Sequence, residues 1–330
     1  MVANASSSVT VAPTSFSPES AQALLARLAQ NISQAVQGQP TVVRLSLVAL
    51  CARGHLLLEG PPGVGKTSLA QSLARSLDLS FSRVQFTSDL LPTDILGATV
   101  FDPRQVRFEF RKGPIFAQVV LADELNRAPP RVQSALLEAL SEAQVSTDAG
   151  PQPLPEPFFV IATQNPAESA GTFPLPEASL DRFGLRLSLS YPDRNSERQV
   201  LLGRGLLEPW RELRPVARAA DVLGLQAAAA RIQVAPVLAD YVLALAEHSR
   251  SMGFAQRGLS TRAALWLLAA AKAHALFEGR GHLLPDDVQA VAGSCLSHRL
   301  TPSGSEGLGA TRLESERMVQ RLLQAVPVPV

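Results

Sequence analysis

The spacing of apolar positions changes along the chain, and each change marks a different kind of element. From Ser17, SPESAQALLARLAQNISQAV repeats apolar residues at Leu24, Leu25, Leu28 and Ile32, the spacing of an amphipathic helix capped by Ser17 with Glu19 in its first turn. A second helix is expected from Pro40 to about residue 53. HLLLEG (55–60) is a short apolar run that ends in glycine and proline, and SLAQSLARSL (68–77) returns to helical period, so the pair reads as strand, loop, helix. FSRVQF (81–86), IFAQVVLADE (115–124) and FFVIATQN (158–165) are continuous apolar runs rich in Val, Ile, Leu and Phe, as strands covered on both faces are. Between the last two, RVQSALLEALSEAQV has helical period.

Strand and helix alternate to about residue 192, which predicts an α/β unit built on a parallel sheet with helices on both faces. From about 196 the pattern is helical throughout: SERQVLLGRGLL, ADVLGLQAAAARI, APVLADYVLALAEHSR, TRAALWLLAAAKAHALFEG, PDDVQAVAGSCLSHRL and ESERMVQRLLQAV, with Pro and Gly breaks between them. The expected organisation is a flexible tail over 1–16, an α/β core over 17–195 and an all-helical unit over 196–330. No internal repeat of fixed period is visible.

Composition narrows the function classes. With 46% hydrophobic and 18% charged residues, the 330-residue chain can fill a core, which excludes disorder as its dominant state. The net charge of +1 leaves no whole-chain footprint for wrapping nucleic acid or gripping an anionic membrane. Cys51 and Cys295 lie far apart without CxxC or histidine spacing, so neither a disulfide framework nor a structural zinc site is indicated. His55, His248, His274, His282 and His298 show no paired ligand spacing. The first twenty residues lack a signal peptide's basic start and apolar stretch, and no apolar run reaches the roughly 18 residues of a membrane span, so the expected location is the cytoplasm.

Lys66, Lys112 and Lys272 are the chain's lysines, and every other basic side chain is arginine, which makes a lysine in a chemically meaningful place more informative. Lys66 stands in Gly60-Pro61-Pro62-Gly63-Val64-Gly65-Lys66-Thr67-Ser68, a match to GxxxxGK[ST] between an expected strand and helix. Glycines let backbone N–H groups curl around phosphate oxygens, and the helix adds its N-terminal partial positive charge. Lys66 would reach the β- and γ-phosphates, and the Thr67 hydroxyl would ligate magnesium.

VVLADELNR (119–127) is an apolar strand ending in two adjacent acids, a Walker B pattern. Asp123 suits the magnesium shell, and Glu124 suits the polarisation of an attacking water, which hydrolysis needs and binding does not. FFVIATQNP ends a strand in the amides Gln164 and Asn165, of which Asn165 is the candidate for the γ-phosphate or the lytic water. LPEASLDRFGLR (175–186) carries Arg182 and Arg186 near the end of the α/β unit, and a guanidinium there can serve a neighbouring subunit, with Arg182 the stronger candidate. In GLSTRAALWLLAAAK (258–272) Ser260 or Thr261 caps a helix whose first turn holds Arg262, where the helix dipole disfavours a cation unless a phosphate is bound beside it.

Together GPPGVGKTS, LADELNRAP, FFVIATQNP, LPEASLDRFG and GLSTRAAL resemble the AAA+ ATPases, and the chain is similar to the MoxR family over about residues 40–300. The more specific strings are FSRVQFTSDLLPTDILG, GPIFAQVVLADELNRAPPRVQSALLEAL and PLPEPFFVIATQNPAESAGTFPLPEASLDRF. The resemblance implies that Asn165 is sensor 1, Arg182 the arginine finger, Arg262 sensor 2, and the helical unit the lid. It implies ATP and Mg2+ as cofactors, a ring that is usually a hexamer, and a partner with a von Willebrand factor A domain that links ring to client. It also implies an insertion in the second core helix, here residues 98–112, whose Val106, Phe108 and Phe110 alternate around a DPR turn as a hairpin would. A further insert is expected at about 145–157. The lid motif LSTRA departs from relatives that place a proline before the arginine, and leaves open whether Arg262 acts in cis or on a neighbour. The expected function is magnesium-dependent ATP hydrolysis that drives remodelling or maturation of other proteins. The rivals are a nucleic-acid motor, disfavoured by the near-zero charge, and an assembly scaffold that scarcely turns over.

Overall fold

In the computed structural model the chain is described over residues 14–147, 150–164, 172–173, 175–199, 201–202, 208–251, 255–302 and 312–329. Helices α1 (Pro18–Ser33) and α2 (Pro40–Cys51) lead into β1 (Leu56–Glu59) and α3 (Lys66–Ser76). Next come β2 (Phe81–Gln85), α4 (Pro92–Leu96), β3 (Gly97–Asp102), β4 (Arg107–Lys112), β5 (Val119–Asp123) and α5 (Pro130–Glu142). β6 (Gln144–Thr147), β7 (Gly150–Pro153), β8 (Phe159–Gln164), α6 (Glu177–Leu180), β9 (Leu185–Ser188) and α7 (Arg194–Gln199) follow. The remainder is α8 (Ala219–Ala230), α9 (Pro236–Ser251), β10 (Ala255–Arg257), α10 (Thr261–Phe277), α11 (Pro285–Leu296), β11 (Thr301–Pro302) and α12 (Arg312–Ala325).

Five strands form the main sheet in the order β2-β5-β8-β1-β9. Every pairing in it is parallel. The unbroken apolar runs are explained by what covers them. Alternate residues of the central strands enter different cores: Leu56, Leu58, Val119, Leu121, Phe159 and Ile161 face one side. Leu57, Val120, Ala122, Val160 and Ala162 face the other. On the first face lie α1, α2, α3, α8, α10 and α11, and on the second α4 and α5. This period-2 division pins the register, because a one-residue slip would exchange the two cores.

α1 forms as its pattern requires. Ser17 accepts from the Ser20 backbone N–H, and the Ser20 hydroxyl accepts from the Ser17 N–H, so Ser20 closes a capping box. Leu25, Leu28 and Ile32 are fully buried against α2, α3 and α10, each contributing roughly 1.5–3 kcal/mol by removal from water. α10 packs on α1, α2, α8, α9 and α11, so the N-terminal helices tie the later helices to the sheet.

Several details differ from the pattern reading. Thr14–Phe16, placed in the flexible tail, lie against α8: the Thr14 N–H donates to the Ala220 carbonyl (3.1 Å) and its hydroxyl to Asp221 (2.9 Å). Phe16 packs on the core, which gives these residues an anchor; residues 1–13 lie outside those described. The region beyond 196 also contains the antiparallel β10–β11 pair, too short to leave a periodic signal. The hairpin at 98–112 is present, with Phe101 opposite Phe108 and Thr99 opposite Phe110. Val106, however, is in the turn at φ +48° rather than in the strand. The expected insert at 145–157 contains a second hairpin, β6–β7, whose residues 148–149 are outside those described.

Candidate functional site

Parallel strands bring their carboxyl ends to one edge of a sheet, which is where open α/β folds bind ligands. Here Glu59 lies level with Gln164 on one side and Ser188 on the other, and Gln85 lies level with Asp123. The loop from Gly60 to Gly65 leaves this edge and runs directly into α3, which starts at Lys66. Gly63 (φ +82°) and Gly65 (φ +97°) adopt left-handed backbone that lets the loop curl, and a Cβ at Gly63 would meet nothing within 4 Å. Gly60 is glycine for a different reason, since a Cβ there would lie 2.3 Å from the Leu189 carbonyl oxygen. Val64 is buried beneath the loop, whereas Pro62 and Gly63 face solvent and Pro61, Thr67 and Ser68 are half-buried.

No side chain caps α3, and its first turn contains no acid. A helix start of this kind, opening beside a concave glycine loop, has the donor set that an anionic phosphate fits. The Lys66 Nζ donates to the Gly60 carbonyl (2.7 Å). Burial pushes the Lys66 pKa below its ordinary value, opposed by the charges of Asp123, Glu124 and Glu59. The lysine therefore feels three carboxylates, Glu59 at the end of β1 and Asp123 and Glu124 at the end of β5, the next strand but one.

Asp123 is buried at the end of β5 with both carboxylate oxygens engaged. Oδ1 accepts from the Thr163 hydroxyl (2.7 Å), and Oδ2 accepts from Arg83 Nε (3.1 Å) and Nη2 (2.7 Å). Thr163 is fully buried on β8, and its Oγ1 also accepts from the Glu124 N–H (2.8 Å). Glu124 itself has left-handed backbone (φ 59°, ψ 45°), unusual for a residue with a side chain. Its Oε2 accepts from Gln85 Nε2 (3.0 Å) and from Arg127 Nε (2.9 Å). The structure thus joins β2, β5 and β8 through Arg83, Gln85 and Thr163. None of these three was among the residues expected from sequence, because an isolated Arg, Gln or Thr in a strand has no distinguishing local pattern.

The remaining candidates are not all in this cluster. Asn165 follows the described Gln164 but lies outside the described residues. Arg186 is on β9 level with Leu57, where its Nη1 approaches Glu59 Oε1 at 3.8 Å. Arg182 lies before β9, and its Nη1 donates to the Ser141 hydroxyl (2.8 Å) and the Leu137 carbonyl at the end of α5. Arg262 is exposed in the first turn of α10, whose N-cap Ser260 accepts from the Ala263 N–H (3.0 Å) and donates to Asp181 Oδ2 (3.3 Å). Because β9 begins level with the start of β1, at Leu185 and Leu56, Arg182 and Ser260 lie at the amino edge of the sheet. The phosphate loop is at the other edge, a strand length of roughly 10 Å away at 3.3 Å per residue.

A glycine loop between a parallel strand and a helix, with paired acids on the next strand but one, is the architecture of P-loop proteins, here followed by a helical lid. Comparison with known proteins agrees. The family model described as ATPase family associated with various cellular activities (AAA) matches residues 55–185, and the AAA lid domain model matches 248–319. The chain is 41% identical to the uncharacterized protein YeaC of Bacillus subtilis, over 93% of this chain and 95% of that one. It is 39% identical to chaperone MoxR1 of Mycobacterium tuberculosis, over 92% and 82% respectively. A crystal structure of a candidate ATPase from Cytophaga hutchinsonii superposes with a TM-score of 0.84 at 35% identity, covering 94% of this chain and 96% of that one. The chain belongs to the MoxR family of AAA+ ATPases. Among the described residues, no helix is long and apolar enough to cross a membrane.

Proposed function

We propose that this protein is a magnesium-dependent ATPase that works as a closed ring of six subunits in the cytoplasm and remodels or matures partner proteins. The backbone N–H groups of Gly60–Ser68 would hold the phosphates of ATP, with Lys66 exchanging the Gly60 carbonyl for a phosphate oxygen. Thr67 and Asp123 would hold magnesium, which supplies neutralisation of phosphate charge when bound. Both Asp123 oxygens already have donors, so the metal shell would replace the Arg83 contact at Oδ2. Glu124, steadied by Gln85 and Arg127, would take the proton of the attacking water. Asn165 would orient that water from the adjacent strand end.

The observation that carries the ring reading is the division of charge between the sheet edges. Arg182 and the first turn of α10, with Arg262, lie together at the edge opposite the phosphate loop of their own subunit. Both arginines would therefore complete the site of the next subunit, which supports trans action for Arg262 as well as for Arg182. The core over 17–195 and lid over 196–330 would each contribute a wall to that shared site. The partner that links ring to client would carry a von Willebrand factor A domain, as the family resemblance implies.

The test is ATP turnover of Arg182→Ala, alone and mixed with Glu124→Gln. Each variant alone should hydrolyse on the order of 10³-fold more slowly than the parent protein. Mixed rings should recover activity, because intact Arg182 from one subunit meets intact Glu124 in the next. No recovery in a mixed ring would remove the cross-subunit assignment.

A further inference from the structure

The residues flanking Arg182 are fastened by the lid, and by one side chain above all. Arg299 follows α11, and its side chain is 3% exposed. A guanidinium has five N–H donors, and this one places all five on oxygen. Nε donates to Asp181 Oδ1 (2.7 Å), and Nη2 to the carbonyls of Phe183 (2.7 Å) and Asp181 (3.1 Å). Nη1 donates to the carbonyls of Gly184 (3.3 Å) and Cys295. Two more lid groups join it: His298 Nε2 donates to the Phe183 carbonyl (3.0 Å), and the Ser260 hydroxyl to Asp181 Oδ2 (3.3 Å).

Positions 181, 183 and 184 thus face the lid, while the Arg182 side chain leaves in another direction, to α5. A buried ion pair is a poor source of net stability, since desolvation offsets most of its attraction. What a rigid five-donor fork supplies is fixed geometry.

We propose that Arg299 is a positioning residue for the cross-subunit reaction: it holds the backbone on both sides of Arg182, so that the lid sets where Arg182 is presented to the neighbouring subunit. This rests on the reading of Arg182 given above. The inference concerns aim rather than binding, so nucleotide affinity and turnover separate.

Arg299→Lys keeps the charge but has at most three donors and no fork. Misplacing a positioning group by about 1 Å costs about 100-fold in rate, so kcat should fall by about that factor. The dissociation constant for a fluorescent ATP analogue should stay within about twofold, because the phosphate loop is at the other edge. Mixing with Glu124→Gln, which contributes intact Arg299 and Arg182, should restore turnover at the Arg299→Lys subunits. A role confined to holding the variant's own fold together would not be relieved by a neighbour. Asp181→Asn, which removes the ionic partner and keeps the carbonyl bonds, should show the same pattern at about a tenfold loss, and it decides the matter if Arg299→Lys melts below the assay temperature.

Arg182→Ala in the same mixing assay separates the two levels. Rescue of both variants supports the inference. Rescue of Arg182→Ala without rescue of Arg299→Lys or Asp181→Asn overturns it, as does unchanged turnover in both clamp variants. Failure to rescue Arg182→Ala removes the cross-subunit reading and this inference with it.

Discussion

Thr163→Val tests whether the two acids of β5 are held by a hydroxyl on the adjacent strand. Valine matches threonine in shape and suits a strand, so packing within β8 is kept while the hydroxyl is lost. The Thr163 side chain is fully buried, which leaves little room for water to take its place. Two bonds disappear: the donation to Asp123 Oδ1 at 2.7 Å and the acceptance from the Glu124 N–H at 2.8 Å. A bond to a charged group contributes about 1.5–3 kcal/mol, and a buried N–H left unpaired costs about 1–3 kcal/mol. The two share one hydroxyl and do not add fully, so we expect a net destabilisation of about 3 kcal/mol. Urea unfolding should show this as a lower midpoint with an unchanged slope. Turnover should fall at least about tenfold, because Glu124 loses the anchor of its left-handed backbone. Thr163→Ser retains the hydroxyl and should stay within about 1 kcal/mol of the parent. A valine variant within about 0.5 kcal/mol, with parental turnover, would refute the reasoning.

Two further outcomes follow from buried groups at the sheet. His55 accepts from the Val160 N–H at Nδ1 and contacts the Leu140 carbonyl through Nε2, and burial depresses its pKa to about 4, against a smaller opposing effect of the Leu140 carbonyl. The unfolded chain, with an ordinary value of about 6.5, binds the proton more readily, so stability is complete above that pH and falls between about 6.5 and 4, by about 3 kcal/mol at most. Urea midpoints measured across that range should decline, and His55→Gln should flatten the decline; an identical slope in the variant would assign the effect elsewhere. Gly60→Ala should cost at least about 2 kcal/mol, since its Cβ would lie 2.3 Å from the Leu189 carbonyl, whose backbone is itself tied to Glu59. A melting temperature equal to the parent's would show that the loop shifts without strain.

The central strands were legible because burial on both faces leaves an unbroken apolar run, and β1, β5 and β8 have one. β9 was not distinguished, for its four residues include the half-buried Arg186, and a run that short has no period to read. Helices α8 to α12 were legible from their helix-forming, partly alanine-rich composition and from the Pro and Gly breaks between them. The phosphate loop was legible because its chemistry is local: glycines, lysine and hydroxyl are contiguous, and their spacing along the chain is the site.

Arg83, Gln85 and Thr163 acquire their partners only from the strand order β2-β5-β8, which lays three distant segments side by side. Arg299 looked like the end of one more helix, and only lid packing brings its five donors to the stretch beside Arg182. Sequence by itself determined the family, the period of each long element and the residue types of the phosphate loop, since these follow from contiguous patterns of burial and backbone freedom. Tertiary structure alone decided which edge of the sheet each charged group occupies, because that depends on register and packing between segments remote in the chain.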